Sequence, residues 1–187
     1  MDRLHTARDL VDRLLLLDFA LSCAKGEGLV LEFGVHQGTT IERIAARVAG
    51  PVHGFDSFEG LPEEWGEFRK KGRFSLGGVP PPIAAPNAVL HKGWFSETLP
   101  PFLAAHPAPV RFAHIDCDIY SSTKTVLDAL QPRLIPGSIV VFDEYFGYDG
   151  WELHEHRAFT EMTERCALPY TYIGYASEWG SVVVGVG

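Results

Sequence analysis

The sequence predicts a doubly wound α/β fold, with seven strands in one sheet, helices on both faces and the last strand antiparallel. Three observations carry this. The short apolar run 29–31 lacks the polar alternation of a half-exposed strand, as expected of a strand buried on both faces, and further strand runs follow at 52–55, 87–91, 110–115 and 138–142. Segments of helical period separate these runs, so the strands connect by crossovers. Two β-rich runs, 170–175 and 181–186, close the chain around a turn near 177–180, the pattern of an antiparallel hairpin. A length of 187 residues suits a single domain with a substantial core, 1–187, and no second domain is expected.

Residues 1–26 read as an N-terminal helix. Leu10, Leu14, Leu17 and Leu21 recur at helical spacing from about residue 6 to 24, while Asp12, Arg13 and Asp18 interrupt the run too often for a secretion signal. Such a helix packs on the sheet edge or on a partner subunit, which suits a homodimer. Gly26 and Gly28 end it. The next stretch, LVLEFGVHQGTT at 29–40, organises the chain. Its strand ends in Glu32, Gly34 and Gly38 mark a tight turn, and Thr39, Thr40, Ile41, Ile44, Ala45 and Val48 supply the following helix. In open α/β sheets the ligand crevice lies beyond the carboxyl ends of the strands, so Glu32, Gly34 and Gly38 fall where a cofactor would touch backbone.

The second strand ends in Asp56, 24 residues after Glu32. An acidic residue about that far along is the ribose-hydroxyl ligand of nucleotide sites. The dinucleotide pattern G-x-G-x-x-G is absent, because Gly34 is followed by Val35, His36, Gln37 and Gly38. A site without that pyrophosphate cradle suits a nucleoside lacking phosphates. Residues 62–86 follow as a loop insertion, with Arg69, Lys70, Lys71 and Arg73 beside paired glycines and three successive prolines. It is either a lid, whose cations meet an acidic substrate or the opposite lip, or a solvated connection.

A third strand at 87–91 leads to Gly93, Trp94 and Phe95 and a helix through 103 with Ser96 as N-cap. Trp94 and Phe95 are read either as core or as rings stacked on a purine. The fourth strand, 110–115, delivers Asp116, Cys117 and Asp118 before a helix starting near Ser121. Unpaired buried carboxylates are expensive, so one of the two acids faces the cleft while the other caps that helix. The fifth strand, 138–142, ends in Asp143 and Glu144. Adjacent parallel strands bring Asp116 and the Asp143–Glu144 pair to one rim, an all-oxygen cluster suited to Mg²⁺ or Ca²⁺. In the helix expected at 151–165, His154 and His156 do not meet the H-E-x-x-H zinc spacing. Glu152 and His156 share a face at i, i+4, so His156 is either a cleft base or half of a surface pair.

Composition narrows the partners. A formal net charge of −8 argues against nucleic acid and against an anionic membrane. Cys23, Cys117 and Cys166 have no metal-type spacing, and three free thiols fit a reducing cytoplasm better than a disulfide framework.

The segments EFGVHQGTT, GFDSFEGLP, HIDCDIYSSTKTVL and GSIVVFDEYF, in that order, resemble the class I S-adenosylmethionine-dependent methyltransferases, in particular the macrocin and mycinamicin type of macrolide-sugar O-methyltransferase. The resemblance runs from about Leu29 to the C-terminus. It implies a Rossmann-like sheet and methyl transfer from S-adenosylmethionine to a hydroxyl of a small molecule, a natural-product sugar or a phenol or catechol, as in secondary metabolism. Carried onto this chain, it implies cofactor contacts at Glu32, Gly34, Val35, Gly38, Thr39, Asp56, Ser57, Phe58, Gly93, Trp94, Asp116 and Tyr120. It also implies Mg²⁺ at Asp116, Asp143 and Glu144, where the ion binds two neighbouring hydroxyls and helps deprotonate one. Glu144 departs from the Asp or Asn expected there. Asp116 then serves both the metal and the cofactor, with His154 or His156 as base. Two other readings stay open. Tyr120 and Lys124 have the Y-x-x-x-K spacing of NAD(P)-dependent short-chain dehydrogenases, and a catalytically silent S-adenosylmethionine-binding protein needs only the binding residues.

Overall fold

The apolar run at 29 becomes β2 (Leu29–Phe33), buried at all five positions, and the sheet grows outward from it. In the computed structural model, which describes residues 4–66 and 69–187, β3 (Val52–Asp56) and β5 (Val110–Ile115) flank β2 in parallel. β4 (Ala88–Lys92) pairs with β3, and β6 (Leu134–Phe142) with β5, again in parallel. The closing hairpin of β7 (Tyr170–Ala176) and β8 (Ser181–Val186) joins through β8, which runs antiparallel to both β6 and β7. An eighth strand, β1 (Arg8–Asp9), pairs in parallel with β7, giving the order β1-β7-β8-β6-β5-β2-β3-β4. Strand succession reverses between β2 and β5, which is where ligands enter such sheets.

The seven predicted strands are all present and β8 is antiparallel as expected. The two-residue β1 lies inside the segment read as helix, and residues 1–3 of that segment lie outside the described residues. α1 (Arg13–Cys23) begins only where the Asp12 side chain accepts the Leu14 and Leu15 N–H groups. It packs across β6, β7 and β8 and buries Leu16, Leu17 and Ala20, so it covers the sheet face. α2 (Thr39–Ala45) starts from Gly38. α3 (Phe95–Ala105) is capped at Trp94, so Ser96 is not its N-cap. α4 (Tyr120–Leu130) starts behind Ile119 with no side-chain cap, so neither Asp116 nor Asp118 caps it. The helix expected at 151–165 is two pieces, a 3₁₀ turn (Trp151–Leu153) and α5 (Glu155–Cys166), because His154 sits outside helical geometry at φ −113° and ψ −121°. The i, i+4 relation of Glu152 and His156 therefore fails, and His156 packs instead on Trp151 and Tyr145. Among the described residues no helix is long and apolar enough to cross a membrane.

Strand alternation sends Leu31, Phe33 and Phe55 to the face covered by α3, α4 and α5, and Val30 and Phe112 to the face covered by α1 and α2. Glu32 shares the second face and is wholly buried, so it does not stand at the strand's open end. It is compensated there. The imidazole Nδ1 of His114 lies 3.0 Å from Glu32 Oε1, Nε2 lies 3.6 Å from Asp143 Oδ1, and Arg13 reaches Asp143 Oδ2 at 2.5 Å. Burial alone would push the His114 pKa down, but hydrogen bonds to Asp143 and Glu32 reverse that and raise it to about 10. Asp143, for its part, is held below the usual carboxylate range: His114 and Arg13 outweigh its burial.

Removing one member of a buried ionic chain leaves the others unmatched. His114→Leu should therefore cost about 3–5 kcal/mol, seen as a fall in Tm on the order of 10 °C in a calorimetric melt. On the other face, His53 contacts His91 at 3.1 Å beneath α3. Burial first, then the neighbouring His91 and His106, lower the His53 pKa from 6.5 to about 4. The unfolded chain takes up this proton more readily, so the His53 contribution is full above pH 6.5 and is lost as pH falls toward 4. Urea midpoints measured across that window should drop, and His53→Gln should flatten the dependence.

Candidate active site

Beyond the carboxyl ends of β2, β3, β5 and β6 lies a cavity of about 260 Å³. One wall is made by turns. Gly34 has φ +92°, and a methyl group there would lie 1.8 Å from the Asp116 carbonyl oxygen, so only glycine lets the two strand ends approach. Asp56, at the end of β3, folds the turn around itself: its Oδ2 accepts the Val35 and His36 N–H groups at 2.9 and 2.8 Å, and its Oδ1 accepts Phe58 N–H at 2.7 Å. Ser57, Gly93, Trp94 and Phe95 continue this wall. Backbone and one acid thus present a surface suited to a nucleoside.

The facing wall is acidic. Asp116, Asp118 and Glu144 bring one carboxylate oxygen each within 4.8 Å of one another. Burial first, then mutual repulsion and nearby Asp143, raise the pKa values of Asp116 and Glu144 well above normal, while burial and Asp143 lift Asp118 to about 7. Glu144 Oε2 is buried without a hydrogen bond, and Asp118 holds φ +62°, which is strained for a side-chain-bearing residue. Arg13 lines this wall as well, though its guanidinium is already paired with Asp143.

The 62–86 segment is tied to the body of the protein. Leu76 and Gly78 N–H donate to the Phe58 carbonyl, Ala84 N–H donates to Glu42, and Ile83 packs over Gly38. Leu61, Pro62 and Phe74 line the cavity, and the Phe74 ring meets His36 edge-on at 5.8 Å. Residues 67–68 of this segment lie outside the described residues.

Of the residues singled out in the sequence, Gly34, Asp56, Ser57, Gly93, Trp94, Asp116 and Glu144 line the cavity. Val35 and Phe58 are buried beneath the turn, and Gly38 and Thr39 open α2 without facing the cavity. Glu32 is corrected to a core ion-pair partner of His114. Asp143 is paired with Arg13 and His114 and does not line the cavity, and Asp118 stands with Asp116 and Glu144 in the acidic trio. His154 packs on Trp65 and Tyr148, and neither it nor His156 lines the cavity. Tyr120 donates to Glu161 at 2.5 Å and Lys124 pairs with Asp128. Hydrogen bonding to Glu161 raises the Tyr120 pKa, opposite to what a tyrosine acid–base pair needs. Sequence reasoning missed Arg13 and His36 as cavity residues, whereas Pro62 and Phe74 belong to the 62–86 segment read as a lid or a solvated connection. Asp118 was detectable only as one of two acids flanking a strand end.

A turn-lined cavity at the switch point of a parallel sheet defines a nucleoside-binding α/β domain. More narrowly, the chain belongs to the methyltransferase-domain family, whose model matches residues 31–145. A curated relative from Streptomyces olivaceus, 8-demethyl-8-(2,3-dimethoxy-alpha-L-rhamnosyl)-tetracenomycin-C 4'-O-methyltransferase, is 43% identical over 53 residues, which are 28% of this chain and 19% of that protein. The match thus spans about a fifth of the relative's length. The calicheamicin methyltransferase CalS11 superposes with a TM-score of 0.74 at 26% identity, covering 94% of this chain and 80% of its own. An apo structure of CalS11, described as a TDP-rhamnose 3'-O-methyltransferase, gives 0.66 at 25% identity over 94% and 81% of the two chains. MycE of the mycinamycin pathway, in complex with Mg and SAH, shares the fold at a TM-score of 0.56 and 14% identity, over 91% of this chain and 48% of its own.

Gly34→Ala forces a methyl group against backbone in a left-handed conformation. The expected cost is about 2–4 kcal/mol, measurable as a lower urea midpoint.

Proposed function

We propose that this protein transfers a methyl group from S-adenosylmethionine to a hydroxyl of a sugar carried by a small natural product, with a divalent cation held at Asp116, Asp118 and Glu144. The observation that carries the reading is that one cavity joins the turn wall of Gly34, Asp56 and Gly93 to the acidic trio. The activities for which the Streptomyces relative and CalS11 are named, both rhamnose O-methylations, support a sugar acceptor.

The residues present fit both groups. Oxygen donors alone, half to nearly wholly buried and with Glu144 Oε2 unpartnered, suit a hard ion such as Mg²⁺. Such an ion supplies Lewis acidity to a substrate hydroxyl, and the bound sulfonium supplies an electrophilic methyl group. This chain's own share is alignment, because a displacement at carbon needs the nucleophilic oxygen in line with the methyl. Asp56 keeps the cofactor turn in shape through three N–H groups and retains lone pairs for ribose hydroxyls. Leu61, Pro62 and Phe74 cover the cavity and keep water out, so that the 62–86 segment serves as a lid. With Asp56 committed to the turn and the trio to the cation, His36 lines the cavity as a group that can accept a hydroxyl proton.

Calorimetric titration with S-adenosylhomocysteine tests the reading. Micromolar binding is expected, weakened at least tenfold by Asp56→Ala, and methyl transfer to a rhamnosylated acceptor should be abolished by EDTA and restored by Mg²⁺. Absence of binding to the unaltered protein would overturn the cofactor assignment.

A further inference from the structure

Glu155 opens α5, is wholly buried and lines no part of the cavity. Its Oε1 accepts the Cys117 N–H and its Oε2 accepts the Glu144 N–H, each at 3.2 Å. Cys117 lies between Asp116 and Asp118, just past β5, and Glu144 lies just past β6. One side chain therefore ties together the two strand ends from which the acidic trio springs. A fourth buried carboxylate beside three others is electrostatically unfavourable, and removing its charge alone would relieve repulsion. It is held instead by two backbone donors and by its place in the first turn of a helix.

We propose that Glu155 is the positioning residue of the trio: by clamping the Cys117 and Glu144 amides it fixes the separation of the β5 and β6 ends, so that Asp116, Asp118 and Glu144 converge on one divalent cation. The cation part rests on the function proposed above. Glutamine at 155 offers one acceptor and turns an NH₂ donor toward the other amide. Aspartate keeps the charge but falls one methylene short. Geometry and charge are thus separable.

Mn²⁺, a paramagnetic stand-in for Mg²⁺, is titrated by electron paramagnetic resonance into the unaltered protein, Glu155→Gln and Glu155→Asp, with S-adenosylhomocysteine affinity measured in parallel. Both variants should bind Mn²⁺ at least tenfold more weakly while S-adenosylhomocysteine affinity changes less than twofold. Unaltered Mn²⁺ affinity in Glu155→Asp would overturn the positioning role, since charge alone would then suffice. A second measurement needs no variant: amide exchange of the unaltered protein should show Cys117 and Glu144 protected. Exchange of either at the rate of a free loop would overturn the clamp. Absence of Mn²⁺ binding by the unaltered protein strikes this proposal and the proposed cation together, whereas absence of S-adenosylhomocysteine binding strikes the methyltransferase reading alone.

Discussion

An unmatched charge in the core is costly, and the row Glu32, His114, Asp143 and Arg13 is where that constraint shapes the rest. It links β2, β5, the end of β6 and the start of α1 across one face of the sheet. Because His114 stays charged between two carboxylates, neither acid is left alone in an apolar layer. The Asp143 backbone carbonyl also accepts the Ser181 hydroxyl, so the antiparallel β8 is drawn into the same arrangement. The central strands are thereby held in one register at the point where the cavity begins.

The neighbouring acids follow the opposite rule. Asp143 and Glu144 are adjacent in sequence, yet one is neutralised by Arg13 and His114 while the other sits among like charges with a free oxygen. Successive side chains at a strand end point to opposite sides, so one step along the chain separates a structural carboxylate from one that lines the cavity. Glu32 and Gly34 are two residues apart and are separated differently: Glu32 is still inside β2 and buried in the core, whereas Gly34 lies past the strand's end and reaches the cavity.

That alternation also decides what could be read from sequence. The sheet was legible: the run around Leu31 and the closing hairpin each fix a buried strand by composition alone, and Gly34, Asp56 and Gly93 follow from where strands end. Which acid faces which way was not. Glu32, Asp116, Asp118, Asp143 and Glu144 all stand near strand ends, and their directions depend on partners more than 80 residues away in the case of His114 and Glu32, and 130 in the case of Arg13 and Asp143. Strand adjacency and resemblance both put Asp143 in the metal set, and nothing local reveals that Arg13 pairs with it. The break at His154 was equally hidden, since helical periodicity continues through a residue whose backbone leaves the helix.

Three crowded, buried carboxylates at one cavity weigh against the folded state. Repulsion and burial raise their pKa values together, so the folded state carries an electrostatic penalty that the unfolded chain, with separated and solvated acids, does not. A cation that binds only the folded arrangement offsets this by mass action, by about 2.7 kcal/mol at a hundredfold excess over its Kd. Substituting one acid by its amide lowers the penalty as well as the affinity. On the cation site proposed above, stability of the empty protein and capacity to hold the ion would trade against each other at Asp116, Asp118 and Glu144, whereas Glu32, His114 and Asp143 pair within the core. The two sets lie side by side because the same strand ends must supply both the rigid base and the reactive rim.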